Sequence, residues 1–327
     1  MAQLRTHARF PDVARGKGHY ESFYLRAFDP ASPRGVWIRY TVHKRPGAEP
    51  KGSLWFTLFD ASADGPTASK VTLDDVGAGP DHYIHVGQSR FEPGHVIGSS
   101  DGYEWDLRFD SAEPPFEHLP RGWMYRAPIP RTKLLSPYPD ARFDGWVAAG
   151  DERIELSGWP GMVGHNWGSE HAQRWIWMHG TQFSGHEGRA WFDGALGRIK
   201  IGSRTTPWVA NAVLALDGER HRLGGPGKTR KTEVRETPTG CDFTLPGKGV
   251  TVRGSVGADR KDFVGWVYAD PDGGEHNTVN CSIAHMRLTV ERDGQRPLEL
   301  ETAHGAAYEL GMRERDHGMP IQPFPDG

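Results

Sequence analysis

The sequence predicts an all-β protein built from two antiparallel units in tandem. Three observations point there. Runs free of glycine and proline, which helices need, are short: the longest is 275–293 and the next is only 53–64. The centre of the long run, EHNTVNCSIAHMRLTVERD, fits a period of two better than one of 3.6. Gly (42) and Pro (25) punctuate the chain more often than average, while 12 Trp, 14 Phe and 9 Tyr argue against disorder. Many short strands joined by turns have this composition.

The strands follow in order. In VWIRYTVHK, Val36, Ile38, Tyr40 and Val42 alternate with Trp37, Arg39, Thr41 and His43. SLWFTLFD, from Ser53, is apolar on both faces and reads as a central strand. In YEWDLRFD, Tyr103, Trp105, Leu107 and Phe109 share one face and four charged residues share the other, as in a half-buried antiparallel strand. RWIWMHGTQF sets Trp175, Trp177 and His179 opposite Ile176 and Met178. RIKIG, WVANAVLALDG, KGVTVRGSV, FVGWVYA and PLELETA are further strand candidates. TASKVTLDDV, from Thr67, is the best short helix candidate. Roughly 16–20 strands are too many for one small barrel, and at about 150 residues per domain the chain is long enough for two. The Pro-dense stretch 114–145 reads as a linker, giving units 1–140 and 141–327.

Lys plus Arg (39) nearly balances Asp plus Glu (42), so the net charge is −3. That balance argues against a nucleic-acid partner, which needs a basic excess or stripe. No stretch reaches the 18 apolar residues of a membrane span, and the first fifteen residues carry no signal-peptide core, so a cytoplasmic protein is expected. Cys241 and Cys281 stand outside any zinc-ligand spacing. HExxH is absent, and His82 and His85, three apart, would point to opposite faces of one strand, so no metal is expected. GxGxxG before a helix and GxxxxGK[ST] are absent too. The basic run RLGGPGKTRK reads as a solvated turn.

The densest chemistry lies in GWPGMVGHNWGSEHAQRWIWMHGTQF, residues 158–183. Four glycines suggest a tight backbone path around His165, Asn166, Trp167, Glu170 and His171, and Asp193 follows in AWFDGALG. Imidazoles, carboxylates and indoles together can form an acid/base site in an apolar pocket.

The run PGMVGHNWG, followed by Glu-His and a Trp-rich strand, resembles the corresponding segment of tocopherol cyclase-like proteins. The wider resemblance is to the tandem lipocalin-like (calycin) group, which includes carotenoid 1,2-hydratases (hydroxyneurosporene synthases), AttH-like proteins and fungal cyclases of the Diels–Alder type. It is specific over 158–183 and weaker through YESFYLRAF, VWIRYT and WFDGALGRIKIG. It implies two lipocalin-like antiparallel β-barrels or highly curved sheets packed together, with a ligand pocket at or between them. It implies no organic cofactor and no obligatory metal. Members of the group cyclise, hydrate or isomerise different apolar substrates, so the fold alone does not choose the reaction.

The residues themselves suggest a mechanism. Protonating a C=C bond needs an acid held protonated near neutrality, and burial among aromatic rings raises a carboxyl's pKa. Glu170 and Asp193 are the candidate acids, with His165 as base, or His171 in its place. Trp159, Trp167, Trp175, Trp177 and Trp191 could stabilise a developing cation, and Asn166 and His171 complete the expected substrate contacts. On this reading His165, Glu170 and Asp193 face one cavity and act on an apolar isoprenoid or polyketide-like molecule. Plainer readings stand beside it: His165 satisfying buried backbone, Glu170–His171 a surface pair, Asp193-Gly a turn. A lipocalin-like carrier for an apolar ligand is the alternative function. A ligand-free structural protein and a glycoside hydrolase with paired carboxylates are weaker ones.

Overall fold

The computed structural model describes residues 6–324. It is all-β: two antiparallel sheets and a two-stranded hairpin, with only short 3-10 turns besides. The first sheet has twelve strands and is nearly closed. Its central run is Lys51–Asp60, Arg34–Lys44, His19–Phe28, Glu152–Gly168, Thr132–Ala149 and Tyr103–Asp110. The strand at one end, Thr67–Leu73, closes back on the strand His95–Ser100 near the other, where the Ser69 and Ser100 hydroxyls bond at 2.8 Å. The second sheet has ten strands and curves similarly, with Arg174–Thr181 between Ala190–Arg198 and Leu298–Met312.

Residue 140 lies inside the strand Thr132–Ala149. The chain leaves the first sheet after Gly168 and joins the second at Arg174, so the stretch 141–168 pairs with the N-terminal sheet. Of the Pro-dense stretch, 118–131 is a loop that returns to its own sheet, and 132–145 is strand of that sheet. TASKVTLDDV forms no helix: Thr67–Leu73 is a strand paired with Lys51–Asp60. Alternate residues there, Ser69 and Val71, face the sheet's interior side, and the hydrogen bonds of the neighbouring strand override a weak helical pattern. His82 and His85 do not point apart, because Asp81–Tyr83 is irregular and only Ile84–Val86 is strand; His82 Nε2 and His85 Nδ1 lie 2.8 Å apart. Cys241 and Cys281 are both free and buried, and burial pushes each thiol up to about 12, so neither is a reactive thiolate at neutral pH.

The period-two reading of Lys51–Asp60 has a tertiary meaning. Leu54, Phe56 and Leu58 fill the first sheet's own interior. Trp55 and Phe59 point out of it and belong to the core of the second sheet, with Trp37 from the neighbouring strand. Trp37 and Trp55 meet Trp266 at 6.2 and 5.0 Å between ring centroids. The two sheets are therefore joined by aromatic packing across the first sheet's outer face.

A fully buried guanidinium reinforces that joint. Arg26, on His19–Phe28, donates from Nη2 to the Ser282 carbonyl (2.8 Å) and from Nη1 to the Gly305 carbonyl (3.1 Å), both in the second sheet. Strand pairing is irregular between Cys281 and Met286, which leaves carbonyls free to accept. Burial pulls the guanidinium down to about 9, so it is still protonated at neutral pH. Replacing Arg26 by Met leaves these carbonyls buried without donors. The variant is expected to lose about 3 kcal/mol or more of stability, read from its urea denaturation midpoint.

Candidate active site

A cavity of about 430 Å³ lies between the two sheets. That volume suits a drug-sized molecule. Tyr24, Trp37 and Asn166 reach it from the first sheet, Trp175 and Trp177 from the second, and Tyr268 from the short strand Val264–Ala269. Two glycines make room for these rings. A Cβ at Gly164 would collide with the Tyr24 ring, and one at Gly311 with the Trp175 indole. Part of the glycine richness of the GHNWG region is thus used for ring packing within a regular strand.

That strand, Glu152–Gly168, pairs Phe23 with His165, Ser22 with Asn166 and Tyr24 with Gly164. Neighbours along it face opposite ways. Asn166 faces the cavity, its carboxamide oxygen accepting from the Ser22 hydroxyl. His165 faces the first sheet's interior, stacked on Phe23 (4.1 Å) and Trp167 (4.5 Å), with Nε2 2.7 Å from Glu21 Oε1. Glu21 also accepts from the backbone N–H groups of Arg9 and Phe10, so this cluster pins the N-terminal segment to the sheet. Burial alone would raise the Glu21 carboxyl, but bonds and charge from His165 and His19 outweigh it and hold it at about 2.

The other expected residues divide likewise. Glu170 is on the surface, paired with Arg131. Trp159 is packed in the first core, and Trp167 packs with Leu119, Tyr125 and Leu135. Trp191 lies under the Arg220 guanidinium. Asp193 is fully buried and accepts from the Ser136 hydroxyl (2.5 Å) and the Trp177 indole (3.3 Å). Burial would raise its carboxyl, but His118, 3.3 Å away, outweighs this and the carboxyl lies below its ordinary value. It is therefore no protonated acid at neutral pH. His165, Glu170 and Asp193 do not share a cavity; His171, Asn166, Trp175 and Trp177 do.

His171 lies in the crossover between the sheets, its ring stacked between Tyr20 (3.9 Å) and Trp175 (5.3 Å). Its Nδ1–H donates to Asp270 Oδ1 at 2.7 Å, and its backbone N–H donates to the same oxygen at 2.7 Å. Nε2 is buried and has no partner. Burial would raise the Asp270 carboxyl, but the bond to His171 prevails and the group is held below its ordinary value. Behind the pair sits His276, pulled down to about 3 by burial and so neutral. The donor atoms of His171, Asp270 and His276 lie within 4.8 Å of one another, as a metal site would require. Asp270, however, is turned onto the two His171 N–H groups, with Arg313 3.4 Å from its other oxygen. The second cavity imidazole, His118, has both nitrogens engaged, by the Asn211 carbonyl and by Ser136. Of the two cavity imidazoles, only His171 keeps a nitrogen, Nε2, without a protein partner.

Comparison with solved structures fits this architecture. The chain superposes on an AttH-like protein from Nitrosomonas europaea (TM-score 0.56, 12% identity, 94% of this chain and 97% of the other). It superposes on CghA, solved with Sch210972 (0.62, 12%, 90% and 88%), and on kievitone hydratase from Nectria haematococca (0.55, 11%, 90% and 88%). The chain has their fold. The resemblance carried by PGMVGHNWG is therefore borne out at the level of architecture. An uncharacterized protein of Mycobacterium tuberculosis (strain H37Rv) is 23% identical over 313 residues, covering 94% of this chain and 90% of its own. No protein-family profile matches the chain. Among the described residues no helix is long and apolar enough to cross a membrane.

The sequence pointed to neither Asp270 nor Arg39 as a site residue. Asp270 sits in a turn, ADPDGG, whose spacing resembles any other loop. Arg39 had a usable signal: it is the charged residue on the same face as Trp37 in a strand apolar on the other side.

Two expectations concern carboxylates that lie outside the cavity, Glu21 and Glu170. Because Glu21 is depressed to about 2 from an ordinary 4.5, its contribution to stability is complete above pH 4.5 and is lost as pH falls towards 2. Glu21→Gln is expected to cost about 3–5 kcal/mol at pH 7 and to flatten the decline of the urea midpoint between pH 4.5 and 2. Glu170→Ala, which breaks an exposed pair, should leave stability within about 0.5 kcal/mol and leave ligand binding unchanged in calorimetry.

Proposed function

We propose that the protein is an enzyme that moves a proton on an apolar small molecule held between the two sheets, without an organic cofactor. The observation that carries this reading is His171, a residue lining an aromatic cavity, with Nδ1 fixed by Asp270 and Nε2 buried without a hydrogen-bond partner. The Nδ1–H bond to Asp270 fixes which nitrogen carries the proton in the neutral ring and leaves the Nε2 lone pair without a protein partner. When Nε2 takes a proton, the Asp270 carboxylate stabilises the imidazolium. Returned to another atom of the same ligand, that proton completes isomerisation or cyclisation; taken instead from a bound water whose oxygen adds to the ligand, and given to the neighbouring carbon, it completes hydration. A hydratase among the structures with this fold is in keeping with that chemistry.

The proposal replaces the acid with which an olefin would be protonated directly. Glu170 is at the surface and Asp193 is ionised, so neither supplies a protonated carboxyl. Indole and phenol faces of Trp37, Trp175, Trp177 and Tyr268 hold the carbon skeleton, with Asn166 available for one polar contact. Asp270 is a positioning residue, since it touches His171 and not the cavity.

The test is incubation of purified protein with an apolar metabolite extract in deuterated water, followed by mass spectrometry. The expected result is consumption of one compound, with a product of equal mass or one water heavier, carrying deuterium. His171→Ala should lower turnover about 10²- to 10⁴-fold while the protein still retains the compound. Asp270→Asn should lower turnover with little change in binding. Equal turnover by wild type and His171→Ala refutes the assignment, and enrichment of a compound that never changes would make the protein a carrier.

A further inference from the structure

The cavity contains a charge that the proton-transfer reading does not use. Arg39 lies on Arg34–Lys44, two residues from Trp37 and on the same face, and its guanidinium lines the cavity. The residue is 5% exposed. Nη2 donates to the Ser22 hydroxyl at 3.1 Å, while Nε and Nη1 are buried with no hydrogen-bond partner. Among the described residues no carboxylate forms an ion pair with it. The cavity carboxylate, Glu309, is occupied by neutral donors: the Trp175 indole N–H at 2.9 Å, the Tyr268 hydroxyl at 3.3 Å and the Asn280 amide at 3.4 Å. What Arg39 has instead is aromatic: its guanidinium sits 4.1 Å from the Tyr268 ring centroid and 5.3 Å from that of Trp55.

A buried guanidinium costs several kcal/mol unless an anion or several acceptors compensate it, and π faces satisfy no N–H. Arg26 shows how this fold treats a structural arginine, with carbonyls at its N–H groups. Arg39 is held in place by Ser22 and the aromatic faces, yet two of its N–H groups have no acceptor in the protein, on a side chain that lines the cavity. A planar fork of donors matches a carboxylate, or the paired oxygens of an acidic enol.

We infer that the ligand is an apolar acid whose anionic oxygens are bound by Arg39 while its carbon skeleton lies along the indole walls. The inference deepens the proton-transfer proposal and rests on the same cavity. His171 and Arg39 flank one ring, at 5.9 and 4.1 Å from the Tyr268 centroid. The reacting carbon therefore lies close to the acidic group. Charge drawn onto an oxygen conjugated with that carbon, as a proton leaves toward Nε2, would be held at the guanidinium.

Calorimetry at pH 7.5 with a matched pair, biphenyl-4-carboxylate and biphenyl-4-carboxamide, tests this. The two have nearly the same shape and differ in charge. Wild type should bind the carboxylate about 10- to 100-fold more tightly than the amide. Arg39→Met should abolish that preference by weakening the carboxylate alone. Arg39→Lys, which keeps the charge and loses the fork, should fall between and serves if the Met variant does not fold. Equal affinity of wild type for the two probes, no binding of either, or an undiminished preference in a folded Arg39 variant overturns the inference. His171→Ala separates the two proposals. If it keeps the carboxylate preference and also keeps full turnover, the ionic site stands and proton transfer at His171 falls. If wild type shows no preference while turnover still depends on His171, the reverse holds.

Discussion

The structure depends on strands that are buried on both faces. His19–Phe28 is buried along its whole length. Its odd-numbered residues, with Phe23 and Leu25 among them, enter the first sheet's interior, and Tyr24 and Arg26 enter the space shared with the second sheet. A strand in this position cannot leave a polar side chain to water, so each must find a partner inside the protein. Glu21 finds two backbone N–H groups and His165. Arg26 finds carbonyls of the other sheet. The first arrangement anchors the N-terminal segment and the second fixes how one sheet sits on the other.

The cavity is a consequence of the same constraint. Where Trp37, Trp55 and Trp266 meet, the sheets pack solidly. Beside that contact, Gly164 and Gly311 let the Tyr24 and Trp175 rings lie against their strands, and the space between remains. Its polar groups come from elements that the double-sided packing holds rigid. A side chain mounted on a crossover would ordinarily be mobile. Here Asp270 binds both the ring and the backbone N–H of His171, so orientation and position are fixed by one carboxylate.

Much of this was legible in the alternation of residues. VWIRYTVHK announced an alternating strand and SLWFTLFD one with two apolar faces, and RWIWMHGTQF correctly put Trp175 and Trp177 on one side. GHNWG was legible too, had it been read as a strand: His165 and Asn166 are adjacent and must face apart. Treating its glycines as a tight backbone path hid that rule and grouped the two in one site. Glu170 and His171 show the reverse difficulty. They are neighbours in an irregular crossover, where no period assigns a face, and one reaches solvent while the other is enclosed.

The sequence by itself determined that the chain is all-β, which residues alternate across each strand, and that the region after Gly158 is rich in aromatic and ionisable groups. Periodicity does this because strand geometry is local. Only the tertiary structure decided which groups keep a free polar atom. Asp270 reaches His171 from a distant turn, Glu21 occupies His165, His118 sits against Asp193, and no carboxylate comes to Arg39. A side chain's proton affinity and its availability to a ligand are set by what lies opposite it after folding, and a strand pattern fixes a residue's face without fixing what that face will meet.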